Sequence, residues 1–122
     1  MNNQSEERKI LTRLGLCVRA RCAVLGVPMI CEAMRKGGAA APICVWEAGD
    51  TSENTHKKIL DKCAYYKVKH IRLECDGATL AAALGKTGSL GAVAVTSREL
   101  CRMVEGVPKE SCGNGKTENE KP

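Results

Sequence analysis

Two histidines, eight cysteines and a Gly-Lys-Thr triplet are the residues of this sequence that could carry chemistry. Gly85-Lys86-Thr87 matches the end of a phosphate-binding loop, but that pattern needs a glycine five positions earlier, where Leu80 stands. It also needs a strand before and a helix after, and here the order reads reversed, so no helix start faces a phosphate. Acid–base chemistry is poorly supplied. Glu74 and Asp76 follow a strand, His56 falls in the charged first turn of a helix and is expected on the surface, and His70 reads as a half-buried structural residue. No serine lies in a G-x-S-x-G elbow. The sequence is not expected to encode an enzyme.

The cysteines (17, 22, 31, 44, 63, 75, 101 and 112) contain no C-x-x-C hook, and both histidines stand apart from any close cysteine pair. A structural zinc site usually shows such hooks. The aliphatic content is ample, and the start MNNQSEERK lacks the basic-then-apolar order of a signal peptide, which argues against a secreted disulfide scaffold. The thiols are read as reduced, small hydrophobes, with Cys112 the most exposed. No metal and no cofactor are expected, and the localisation expected is cytoplasmic.

Charge points outward. The net is +5, and Lys109, Lys116 and Lys121 cancel Glu110, Glu118 and Glu120, so the excess lies before the tail. Residues 8–36 carry seven Lys or Arg against Glu32 alone, and residues 57–72 carry six against Asp61 alone. Segregated positive charge suits a polyanion, although solvated faces of amphipathic helices would read similarly.

The 122 residues suffice for one domain, expected over 1–108, followed by a disordered polar tail at 109–122. With no Phe, one Trp and two Tyr, the core must come from aliphatic residues, Cys and Met. Residues 6–21 show Ile10, Leu11, Leu14, Cys17 and Val18 at helical spacing. After a short apolar piece at 22–25, Gly26 breaks the chain and Pro28 opens a second helix that stops at Gly37-Gly38. The run 40–48 reads as a buried strand. Asp50 with Glu53 resembles a capping box, and Ser52 is the other candidate cap for the helix that follows. Residues 68–74 read as a strand, 78–84 as a small-residue helix, 88–91 as a loop and 92–95 as a buried strand. Ser97 caps a last helix through Val104. This alternation predicts a three-layer α/β/α sandwich around a central mixed sheet of about four strands.

The stretch AGDTSENTHKKILDKCAYYKVKHI (48–71) resembles the bacterial YlxQ-like branch of the ribosomal protein family typified by archaeal L-seven-Ae and L-thirty-e. LTRLGLCVRA, EAMRKG and LAAALGKTGSLGAVAVT are similar to its first helix, the end of its second, and its helix, glycine loop and last strand. The resemblance covers about 9–104. It implies an L-thirty-e-like fold that binds structured RNA, typically a kink-turn, with no catalysis. Contacts are then expected from Gly26, Val27, Pro28, Met29 and Glu32, from Glu53, Asn54, Lys57 and Lys58, and from Gly88, Ser89, Leu90 and Gly91. Arg21, Arg35 and Lys36 are added from the basic segments. Kink-turn readers of the family carry G-x-N-E-x-x-K at the second helix, whereas Pro28, Met29 and Glu32 hold those polar and basic places here. Standard kink-turn recognition is therefore not expected to carry over. The expected partner is structured RNA, ribosomal or other, with no membrane, and a monomer is favoured. A protein-interaction or structural module that kept the fold is the rival reading. The scarcity of aromatics favours folded RNA over stacked single strands.

Overall fold

A computed structural model describes residues 3–105, which place five helices and four strands in the order α1 (Asn3–Arg19), β1 (Ala23–Leu25), α2 (Val27–Lys36), β2 (Cys44–Glu47), α3 (Glu53–Tyr66), β3 (Lys69–Arg72), α4 (Gly77–Ala83), β4 (Ala92–Val95) and α5 (Arg98–Glu105). The tail expected beyond 108, with Cys112, lies outside the described residues.

The sheet has the order β1-β4-β2-β3. β4 pairs antiparallel with both β1 and β2, while β2 and β3 run parallel, so the sheet is mixed as expected. All four residues of β2 and of β4 are buried, which follows from their central places and explains why their sequences read as apolar runs, with Glu47 the one polar member. Side-chain alternation then divides the core. Cys44, Trp46, Val93 and Val95 face a larger cluster with Leu11, Leu14 and Cys17 of α1, Leu80 of α4, and Cys101 and Val104 of α5. Val45, Ala92 and Ala94 face a smaller one with Ile30 and Met34 of α2, and Ile59 and Cys63 of α3. Three helices cover one face and two the other. This is the three-layer sandwich.

Trp46 is 1% exposed at the centre of the larger cluster, where truncation to alanine costs about 3–5 kcal/mol. Cys17, Cys44, Cys63 and Cys101 are buried in the two clusters and fill them as small apolar groups. The expected strands at 40–48 and 68–74 are shorter than their apolar patterns. A 3-10 turn at Gly38–Ala40 occupies the start of the first, and the second ends at Arg72. Leu73 is buried, but its N–H donates to the Glu47 carbonyl beyond the last paired residue of β3.

Candidate functional site

The strand register sets the end of the molecule where the expected contact segments meet. Val93 lies opposite both Leu25 and Trp46, and Ala92 lies opposite Glu47. The exits of β1 and β2 and the entry of β4 are therefore level. α2 and α3 must start there, where the 88–91 loop arrives. Gly26 N–H donates to the Ala92 carbonyl at 3.0 Å, and Ala48 N–H donates to the Gly91 carbonyl at 2.8 Å. A Cβ built on Gly91 would stand 3.1 Å from Val27 Cγ2 and 3.6 Å from Thr51 Cγ2. The backbone at Gly91 thus touches the segments that lead into both helices, from 64 and 40 positions away in sequence. A Cβ at this position would crowd Val27, so the missing side chain eases that approach.

Within the loop, Gly88 has φ +80° and supplies the left-handed turn. Gly91 needs no positive φ; its role is closeness. Leu90, expected as the loop's apolar contact, is half-buried and packs on the larger core, with its N–H donating to the Gly77 carbonyl. Its inward packing anchors the loop and leaves Gly88 and Ser89 exposed. The expected Asp50 capping box does not form. Asp50 Oδ1 accepts from Gly77 N–H at 3.0 Å and ties the α3 entry to the α4 start, while Ser52 Oγ accepts from Thr55 N–H as the α3 cap.

At the two helix starts, Glu53, Asn54, Lys57 and Lys58 of α3 are exposed, as are Pro28 and Met29 of α2, with Met29 at 61%. The first-turn N–H groups of each helix add partial positive charge to this end. Glu32 does not stand as a free anion. Arg35 holds its carboxylate at 2.5 and 3.3 Å, and that hydrogen bond keeps the Glu32 carboxyl below its ordinary range.

Three expected contributors lie elsewhere. Arg21, with φ 61°, precedes β1, and its neighbour Cys22 accepts at its carbonyl from Thr96, just past the far end of β4. Arg35 and Lys36 end α2, about 12–14 Å along the helix axis from its start. The two basic segments of the sequence do not fold into one patch. Lys69 instead pairs with Glu105 at 2.7 Å, and Arg13 donates to the Val104 carbonyl at 3.5 Å. Tyr66 packs on the smaller core while Tyr65 is 78% exposed at the C-terminal end of α3, edge-on to Tyr66.

One group escaped sequence reasoning. Glu47, the last residue of an apolar strand, is fully buried on the α2/α3 side of the sheet. His70 Nε2 lies 2.6 Å and His56 Nδ1 2.8 Å from Glu47 Oε1, and the Thr51 hydroxyl donates to Oε2. Burial pushes the Glu47 carboxyl up, but the bonds from Thr51, His70 and His56 outweigh it and hold the group below its ordinary value. His56 is thus not a surface residue: its side chain is 27% exposed and turns inward to the carboxylate. A lone Glu ending an apolar run was the available signal.

No family model matches the chain. Across 85 residues it is 38% identical to the RNA-binding protein YlxQ of Bacillus subtilis (strain 168), covering 70% of this chain and 80% of that protein. The chain belongs to the YlxQ family. This is the bacterial branch of the L-seven-Ae and L-thirty-e type. A second YlxQ, the RNA-binding protein of Enterococcus faecium, is 35% identical over 66 residues, 54% of this chain and 61% of its own length. Among solved structures, a protein of unknown function from Bacillus halodurans C superposes with a TM-score of 0.70 at 27% identity, over 80% of this chain and 93% of its own. Like this YlxQ-family chain's sequence, that neighbour points to one shared fold.

Proposed function

We propose that the chain binds structured RNA without catalysis, through the end of the sandwich where α2 and α3 start and the 88–91 loop enters the sheet. The observation that carries this reading is the convergence on Gly91, whose backbone meets Val27 and Thr51 and so unites three segments distant in sequence. Exposed Lys57 and Lys58, two helix N-termini and the Gly88-Ser89 backbone offer that surface cations, N–H donors and close backbone approach. The YlxQ relatives are named as RNA-binding proteins, which supports the class of partner. Burial pushes the thiols of Cys17 and Cys63 up to about 11 and that of Cys75 to about 12, away from thiolate chemistry.

The RNA bound is not a standard kink-turn. Pro28 and Met29 present apolar surface where the family's readers place polar groups, and Glu32 is occupied by Arg35. Recognition rests on the shape and backbone of a folded RNA. Crosslinking in cells, purification of the full chain and sequencing of attached RNA test this. The parent returns a defined set of structured RNAs, and Lys57→Glu with Lys58→Glu loses them. A parent that returns only background RNA overturns the reading and favours a protein-interaction module, to which exposed Met29 would belong.

A further inference from the structure

Glu47, His56 and His70 come from β2, α3 and β3, and their ligand atoms all lie within 4.8 Å of one another. We propose that these three side chains bind one divalent transition-metal ion, Zn2+ or an ion of the same ligand preference. Two imidazoles and one carboxylate form a donor set that suits zinc, whereas Mg2+ and Ca2+ favour all-oxygen sites.

The geometry is close to what an ion needs. Bonds of about 2.0–2.2 Å in a tetrahedron set neighbouring ligand atoms roughly 3.4 Å apart. Here Glu47 Oε1 stands 2.6 Å from His70 Nε2 and 2.8 Å from His56 Nδ1. Admitting the ion therefore takes an opening of about 0.8 Å between Glu47 and His70 and about 0.6 Å between Glu47 and His56. His56, the most exposed of the three at 27%, can supply its own share, while the other share falls to His70 at 14%, since Glu47 is fully buried. The nitrogens that now donate to the carboxylate are the ones that exchange their protons for the metal. Thr51 donates to the other carboxylate oxygen and fixes it, as a supporting residue does behind a metal ligand.

The charge balance favours the same occupant. A fully buried carboxylate is stabilised by a positive partner, which a divalent ion would supply. The ion would bridge the sheet to the first turn of α3.

The test uses the full chain freed of metal by a chelator, titrated with Zn2+ by calorimetry and with Co2+ by absorption. One equivalent binds, Co2+ gives ligand-field bands without thiolate charge transfer, and Zn2+ raises the melting midpoint. His56→Ala weakens binding by more than the roughly 100-fold upper range for a supporting residue, and its midpoint no longer responds. Cys31→Ser binds as the parent does. Zinc-edge X-ray absorption on the parent shows nitrogen and oxygen neighbours only, a readout that needs no variant to fold. No binding, binding retained in a folded His56→Ala, or sulfur in the coordination shell overturns the proposal and leaves a purely hydrogen-bonded cluster. None of these readouts involves RNA.

Discussion

The two ends of the sandwich use their cations differently. Where α2 and α3 start, Lys57 and Lys58 stand exposed beside two helix N-termini, that of α2 without a side-chain cap, and the glycine loop. At the other end, Arg21 sits in a left-handed turn, Arg35 is spent on Glu32, and Lys69 on Glu105. Sequence-level charge density thus overstates the far end. A cation counts toward a polyanion only when its own fold does not already neutralise it and when neighbouring groups share its direction.

The largest expected effect separates the ends directly. Lys57→Glu with Lys58→Glu should weaken binding of the recovered RNA by roughly 100-fold, because each reversal removes an attraction and adds a repulsion of about half to one kcal/mol. Arg19→Glu with Arg21→Glu, an equal change of charge, should cost less than about threefold in the same titration. Salt dependence is next. If about two phosphates are neutralised at the near end, log affinity falls with log salt at a slope near −2, or roughly 15-fold between 50 and 200 mM. A slope near −5 would mean that the far-end arginines also engage. Replacing Pro28→Asn, Met29→Glu and Glu32→Lys together should raise affinity for a standard kink-turn by about tenfold, corresponding to about 1.4 kcal/mol. An unchanged affinity would place α2 outside the contact. The smallest effect is structural: Ser52→Ala removes the α3 cap and should cost about 1 kcal/mol in a denaturant melt, with RNA affinity falling only through a frayed helix start.

Much of this architecture was legible in local chemistry. The β2 and β4 runs, the breaks at Gly26 and Gly37, Pro28 in the first turn of α2, and the Ser52 and Ser97 caps all sit where backbone preferences place them. The expected contact segments came from the resemblance to the family, with which helix starts and a glycine loop agree. Their convergence was not legible, since it depends on the register that levels Leu25, Glu47 and Ala92. The inward turn of Leu90 was hidden for a related reason: a loop leucine reads as exposed until the core beneath it is built. Charge misled most. Arg35 and Lys36 follow Met29 closely in sequence, but a helix carries them to the other end. Glu47 was hidden by its apolar neighbours, because its partners His56 and His70 stand 9 and 23 residues away.

Ultraviolet crosslinking of the parent chain to its recovered RNA, with the crosslinked peptides mapped by mass spectrometry, addresses the central claim most directly. Crosslinks should fall within 26–32, 52–58 and 88–91, the segments that meet at Gly91. Crosslinks confined to Arg19, Arg21, Lys36 or the exposed Tyr65 would contradict it and move the RNA to the far end.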